Sequence, residues 1–379
     1  MTGTAVVGGG IVGAAAAWRL AERGESVTLF DRRDEGRATD AGAGIAYAPP
    51  VEQLAPPDRE LAIRSHRYLG VLAETLRSQY DLDTVGVTER PFYKVALETQ
   101  SLVTTGIDTV RRYIDRVDHL QQSAVTVLDE QDVRTAVPWL RDVEGAITFE
   151  TGIRIDGRRL TEALVNAGTE EGLEVCNTDV SGIEVNGGRV NGLKIGDGEV
   201  IDVDRVIIAG GAWSAAFASA LGCSIPVSPQ RGQIIHLGHA DLATGDWPMV
   251  STFDGGQYLV PWAEGRVAVG ATWEDAGFAP WPTVDGIETM LACARDLVPS
   301  LETARFHEVR VGLRPRSPDG RPILGKVPDI DGAFVATGHG GGGLQRGPFS
   351  GYLVADRCLQ GAVEFPLEAF RPGRFAEAG

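Results

Sequence analysis

At 379 residues with a formal net charge of −17, the chain is long enough for two or three units of ordinary size and too acidic for a nucleic-acid partner, which needs clustered Lys and Arg. Its apolar runs, such as Val206-Ile207-Ile208-Ala209, stop far short of the roughly 20 residues of a membrane helix, and no basic, apolar leader opens it, so a cytoplasmic protein with no transmembrane segment is expected. Cys176, Cys223, Cys293 and Cys358 show no C-x-x-C spacing and no histidine at ligand distance, which predicts reduced thiols and no metal site.

In chain order, residues 2–7 are β-prone and run into Gly8-Gly9-Gly10-Ile11-Val12-Gly13 and an alanine-rich stretch to Arg23. This reads as strand, glycine turn and helix. Gly24 ends the helix, and Ser26–Phe30 forms a second strand closing on Asp31, which completes a parallel βαβ unit. Leu61, Ile63, Leu69, Leu72 and Leu76 recur at roughly helical spacing within 58–79, and a second helix is predicted over about 101–121. Phe92–Leu97 between them is strand-like. Next come a helix over 158–172, a strand at 173–175, a β-meander over 182–203 and a buried strand, 204–211, that returns to the first sheet. Residues 225–273 are strand-rich and hairpin-like, 284–297 is helical, and a last strand at 335–338 leads through a glycine run to a final helix over about 349–359.

Gly8, Gly10 and Gly13 form G-x-G-x-x-G. The first glycine permits the tight turn, the second lets backbone approach a pyrophosphate, and the third lets helix and strand pack closely. The helix N-terminus adds N–H donors and positive potential. Asp31, about 20 residues on, suits the ribose hydroxyls; its alternative is a solvated strand end. The fingerprint implies a dinucleotide and leaves nicotinamide and FAD undivided.

Later segments separate them. Ala38-Thr39-Asp40-Ala41-Gly42-Ala43-Gly44, Val206 to Ser214, Arg231-Gly232-Gln233, Tyr258-Leu259-Val260-Pro261, Gly270 to Glu274, Gly312-Leu313-Arg314-Pro315 with Pro318-Asp319-Gly320, and Gly338-His339 together resemble the D-amino acid oxidase superfamily, which includes D-amino acid dehydrogenases, glycine oxidase and sarcosine oxidase. The resemblance runs from Val6 to about Arg357. It implies an α/β fold with a Rossmann-like FAD-binding domain (1–85, 150–222 and 320–379) and a second, antiparallel-sheet α+β substrate domain (86–149 and 223–319). It further implies non-covalent FAD held by Gly8, Gly10, Ile11, Val12, Gly13, Asp31, Arg32, Thr39, Ala41, Gly42, Gly44, Val180, Gly210, Trp213, Arg314, Gly338, Gly340, Gly341, Gly343 and Leu344.

Arg314, ahead of a proline, suits bidentate capture of a substrate carboxylate, against the alternative of a structural arginine. Tyr258 can donate to the same carboxylate or serve as a half-buried core residue. His339 is expected to shape the pocket rather than remove a proton. Gly340–Gly343 reads either as backbone donors near the flavin N1 and C2 carbonyl or as a flexible turn. The implied reaction is oxidation of a small D-amino acid or glycine by hydride transfer to flavin N5, giving a 2-oxo acid and ammonia, with oxygen or a quinone or other electron carrier as acceptor. The alternatives are sarcosine, a cyclic imino acid or a 2-hydroxy acid as substrate, or a flavin subunit of a larger dehydrogenase complex. Two departures stand out. Glycine oxidase carries an arginine where this chain has Gly341, with Arg346 the nearest substitute, and Gly320-Arg321-Pro322 replaces the flavin-bearing cysteine of sarcosine oxidase. Phe92, Tyr93 and Lys94 either reach the site or pack within their own domain.

Overall fold

The strand Thr4–Val7 is buried at every residue, as befits a β-strand with apolar side chains on both faces. It pairs in parallel with Val27–Phe30 on one side and Arg205–Ile208 on the other. The computed structural model, which describes residues 3–47, 55–82, 84–97, 125–239, 241–253, 257–361 and 363–378, extends this trio into a six-stranded sheet. Its order is Ile323–Lys326, Ala333–Thr337, Arg205–Ile208, Thr4–Val7, Val27–Phe30, Glu174–Cys176, and only the edge strand Ile323–Lys326 runs antiparallel to its neighbour. The expected return of 204–211 to the first sheet is thus observed. The helix expected over about 101–121 lies outside the described residues.

The helix Ile11–Glu22 covers this sheet and ends in a Schellman turn. Gly24, at φ +80°, donates to Ala21 O (2.8 Å), and Glu25 donates to Leu20 O (3.2 Å). Beside it, on the same face of the sheet, lies the C-terminal helix Gly343–Gln360. That helix begins six residues ahead of the expected start. Glycines make its contact surface: a Cβ at Gly347 would lie 3.0 Å from Ile11 Cγ2, and one at Gly351 would lie 2.9 Å from Ala16 N and 3.0 Å from Ala15 Cβ. Two helices meeting backbone to backbone need small residues on both sides, and the alanines of the first helix answer the glycines of the second. Pro348 sits inside this helix, in its second turn, where it forfeits one N–H bond without ending the helix.

A second sheet of eight strands has the order Arg305–Arg316, Ser228–Gly238, Arg266–Gly270, Tyr258–Pro261, Met249–Thr252, Phe92–Ala96, Gly145–Phe149, Val125–Asp129. It was expected to be antiparallel. One junction departs from that: Met249–Thr252 runs parallel to Phe92–Ala96, because the strands come from segments far apart in sequence and no hairpin dictates their direction. One face packs Ile235, Leu237, Leu259, Val267 and Val269 against the helix Val284–Leu297. The meander appears as a separate three-stranded sheet, Val180–Asn186, Arg189–Ile195 and Glu199–Asp202. Among the described residues no helix is long and apolar enough to cross a membrane.

The two large sheets meet where Gly36 and Arg37 lie along the edge strand Arg305–Arg316. Leu313 N–H donates to Gly36 O (2.8 Å), and a Cβ at Gly312 would lie 2.9 Å from Ala41 Cβ. This contact carries the short helix Ala38–Ala41 onto the strand that bears Arg314.

The helix contact makes a direct prediction. Gly351→Val overpacks two backbones that cannot separate without breaking the sheet contacts beneath, and it should lower the unfolding free energy by about 1–3 kcal/mol. Urea denaturation measures this, and an unchanged midpoint would show that the two helices do not meet as described.

Candidate active site

The glycine turn is defined by contact. Gly8 has φ +105°, and a Cβ there would lie 2.5 Å from Ala209 O. A Cβ at Gly13 would run into Gly8 O and lie 3.2 Å from Ala209 Cβ. The first helix can therefore start directly above the first strand. No side chain of its own caps that helix at Gly10; instead the Thr39 hydroxyl accepts the Ile11 N–H (3.0 Å). The N–H groups of Val12 and Gly13 lie within the first turn, where no intrahelical acceptor exists.

Above this turn opens a cavity of about 540 Å³ that reaches from the first sheet to the second. Of the residues expected at the cofactor, Gly8, Gly10, Ile11 and Val12 line it from the glycine turn, and Asp31 and Arg32 from the end of the second strand. Thr39, Ala41, Gly42 and Gly44 line it from the segment over the edge strand, and Val180, Gly210 and Trp213 from the far wall. Tyr258, Arg314, His339, Gly340, Gly341, Gly343 and Leu344 complete the lining. Gly13 and Gly338 do not reach the cavity. Gly13 acts through the contact with Gly8, and Gly338 turns the chain at φ +79° after the strand Ala333–Thr337. Phe92, Tyr93 and Lys94 are also absent from the lining; Phe92 is buried in its own sheet against Phe149. Arg346 is absent too, its guanidinium donating to His339 O (2.9 Å).

Residues missed in the sequence complete the ends. Arg37 pairs with Asp31 (2.7 Å) and lies 3.3 Å from Asp40, so Asp31 is held by a cation while its remaining lone pairs stay open to hydroxyl donors. Gly9 clears Asp31: a Cβ there would lie 2.6 Å from Asp31 Oδ2. Arg32 is exposed and bridges Asp34 (2.6 Å) and Asp179 (3.0 Å). Trp273 lies 3.9 Å from the Arg314 Cζ, measured to its ring centroid. The six-residue step from Asp31 to Arg37 matches no general motif, and Trp273 was visible only as part of a longer matching segment.

Arg314 is sandwiched. Trp273 covers one face, and Gly232 leaves room at the other, since a Cβ there would collide with the guanidinium. One terminal nitrogen donates to Thr272 O (2.9 Å) and Arg231 O (3.4 Å). Burial presses the Arg314 pKa below the ordinary arginine value, against the attraction of Tyr258 and Glu274, yet a guanidinium stays charged at neutral pH. Tyr258 is pushed up to about 12, by burial first, with the nearby Arg314 charge working the other way; its hydroxyl is a donor at any working pH. A side chain at Gly341 would meet Trp273, whose ring lies 3.0 Å from an added Cβ, so the tryptophan fills the space that a second arginine needs.

His339 is 2% exposed, and among the described residues its Nε2 has no hydrogen-bond partner. Burial, and then Arg346, push its pKa down to about 3, so it enters the site as a neutral imidazole. Gly340–Gly342 forms a 3₁₀ turn rather than a free loop and leads straight into the C-terminal helix, which carries no side-chain cap. Two uncapped or externally capped helix N-termini, a carboxylate at one end, an orphaned imidazole nitrogen and an elongated cavity suit a dinucleotide with an electron-accepting ring. No cysteine lines the cavity among the described residues.

The low His339 pKa has a measurable consequence. Its folded-state value lies below the unfolded value of about 6.5, so the unfolded chain binds the proton more readily, and this contribution to stability is whole above about pH 6.5 and is lost as pH falls toward 3. Unfolding free energy should therefore drop by up to about 1.4 kcal/mol per pH unit on this account. His339→Gln should flatten that slope by one histidine's share in urea titrations at about pH 7 and pH 5; an unchanged slope would place the histidine in water.

Comparison with known proteins agrees with this geometry. A family model described as "DAO: FAD dependent oxidoreductase" matches residues 4–357. The uncharacterized oxidoreductase YurR of Bacillus subtilis (strain 168) is 33% identical over 97% of both chains. The crystal structure of iminodiacetate oxidase from Chelativorans sp. BNC1 superposes with a TM-score of 0.90 at 36% identity, covering 97% of this chain and 98% of that one. The crystal structure of glycine oxidase from Geobacillus kaustophilus does so with a TM-score of 0.86 at 28% identity and 98% coverage of both. The chain thus belongs to the FAD-dependent oxidoreductase family, and FAD is the cofactor of this oxidoreductase.

Proposed function

We propose that the chain oxidises the carbon–nitrogen bond of a small amino carboxylate, glycine or a small D-amino acid, to an imino acid that water hydrolyses to a 2-oxo acid and ammonia. The observation that carries this reading is Arg314: a half-buried cation held between Trp273 and Gly232, with Tyr258 beside it, in a cavity whose other end carries Asp31. Such a cation is costly to keep unless an anion meets it, and a bidentate guanidinium matches a carboxylate. When bound, FAD supplies the two-electron acceptor for the hydrogen leaving the α-carbon.

The side chains around Arg314 orient and do not abstract. Arg314 and the Tyr258 hydroxyl fix the carboxylate, and through it the α-carbon. Neutral His339 is too weak an acid to give up its remaining N–H proton and too weak a base to take one at neutral pH. The amine must therefore arrive unprotonated or lose its proton to water, and positioning is the protein's main contribution. The electrons pass to oxygen or to a quinone or other carrier, and peroxide release in air distinguishes the first.

A secondary amine such as iminodiacetate is the second reading. Two observations favour it: the likeness to iminodiacetate oxidase, and Gly341 beside Trp273 in place of a second cation. Its oxidation yields the same kind of oxo acid with a primary amine instead of ammonia.

Anaerobic mixing of the holoprotein with glycine, D- and L-amino acids, sarcosine, iminodiacetate and 2-hydroxy acids tests both readings. Bleaching of the visible flavin band by glycine or D-amino acids and not by the L-forms, with ammonia as product, supports the first; a primary amine product supports the second; bleaching by L-forms alone rejects the first. Bleaching by hydroxy acids alone, or by nothing, rejects both. Arg314→Lys should raise KM roughly 10- to 100-fold, the loss of one charge-assisted hydrogen bond, with a smaller change in kcat. The acid limb of kcat/KM should follow the substrate amine when substrates of different basicity are compared, and should stay in place in His339→Gln.

A further inference from the structure

Behind Arg314 lies a polar cluster that the steps above do not use. Arg231 is 7% exposed and Gln233 wholly buried. Both converge on Glu274. Arg231 donates to Oε2 from Nε (3.1 Å) and again from a terminal nitrogen. Gln233 Nε2 donates to Oε1 (2.7 Å), as does the Thr272 hydroxyl. The backbone repeats the link, with Arg231 N–H to Glu274 O (2.9 Å) and Glu274 N–H to Arg231 O (3.0 Å). Gln233 N–H in turn donates to the Thr272 hydroxyl (2.9 Å). The two carbonyls that receive the Arg314 guanidinium are those of Thr272 and Arg231, two of the three residues whose side chains this one carboxylate binds.

We infer that Glu274 is a positioning residue for the carboxylate anchor: by holding the Thr272 and Arg231 side chains it fixes the two carbonyls that aim the Arg314 guanidinium into the cavity. This rests on the reading of Arg314 as the anchor. Two effects of the Glu274 charge oppose each other. It attracts Arg314 and repels an incoming carboxylate, while its hydrogen bonds keep Arg314 in one orientation. Arg231 neutralises it at contact distance, which leaves only a dipolar field at Arg314; the geometric effect therefore dominates. Burial raises the Glu274 pKa, but the bonds from Arg231, Thr272 and Gln233 outweigh it and leave the pKa below the ordinary value, in keeping with a carboxylate that stays ionised at its post.

The test uses the holoprotein, with acetate as a carboxylate that has no amine to oxidise. Its affinity is read from the flavin spectrum, beside KM and kcat for whichever amino carboxylate bleaches the flavin, flavin content, and thermal midpoint. Glu274→Gln keeps the shape and removes the charge. It is expected to weaken acetate binding and raise KM about tenfold, the value of one charge-assisted bond, with kcat within about threefold and flavin content unchanged. Thr272→Val, which spares the Arg231–Glu274 pair, should shift both constants the same way by less, and it decides the matter if Glu274→Gln does not fold. Unchanged or tighter acetate binding in both variants, or a fall confined to thermal midpoint and flavin content, would assign the cluster a structural role only. Arg314→Lys separates the two layers. If it weakens acetate binding while Glu274→Gln and Thr272→Val do not, the positioning role is wrong and the anchor stands. If acetate binds Arg314→Lys as before, the anchor reading fails and this inference with it.

Discussion

The molecule turns on a steric contact with no side chain in it. Gly13 lies against the carbonyl of Gly8, and both lie against Ala209, so the start of the first helix sits directly over the ends of the strands Thr4–Val7 and Arg205–Ile208. The unpaired N–H groups of the helix, the Asp31 carboxylate and the floor of the cavity take their places from that approach. A methyl group at either glycine would lift the helix away from the sheet, and the anion-binding potential of its N-terminus would be aimed elsewhere.

A comparable logic governs the other end of the cavity, worked in polar groups. Arg314 stays charged in a poorly solvated place because a tryptophan face, two carbonyls and a phenol surround it. His339 is handled in the opposite way. It is buried, without a partner at Nε2 among the described residues, and is kept neutral. One end of the cavity is thus prepared to receive negative charge and the histidine beside it to hold none, a division that suits chemistry in which the cofactor takes the electrons and the protein supplies alignment.

Much of this was legible in the chain. The glycine fingerprint, Asp31 and the helix that follows obey local rules, and period-2 and period-3.6 patterns mark most strands and helices. The helix Val284–Leu297 falls on its expected residues because its apolar spacing is strong and Thr283 caps it through the Gly286 N–H (3.2 Å). The start of the C-terminal helix was not legible, because Gly343, Gly347 and Pro348 argue against helix on local grounds, and only contact with Ile11 and Val12 of the first helix makes Gly347 useful. The parallel junction in the second sheet was hidden for a similar reason, since strand direction there is set by neighbours distant in sequence. At the site, Arg314 and Tyr258 could be picked out by residue type. Arg37, Trp273 and Glu274 could not, since their roles come from what the fold lays against them.

The order of strands in the six-stranded sheet reaches into the life of the nascent chain. Thr4–Val7 lies in its middle, yet two of its strands, Ile323–Lys326 and Ala333–Thr337, are translated after the other four, and the helix that seals it, Gly343–Gln360, is later still. A ribosome carrying most of this protein therefore carries an open, apolar half-sheet with a bare edge beside Arg205–Ile208. Such edges recruit other strands, so this edge is open to wrong pairing until its own partner strands arrive.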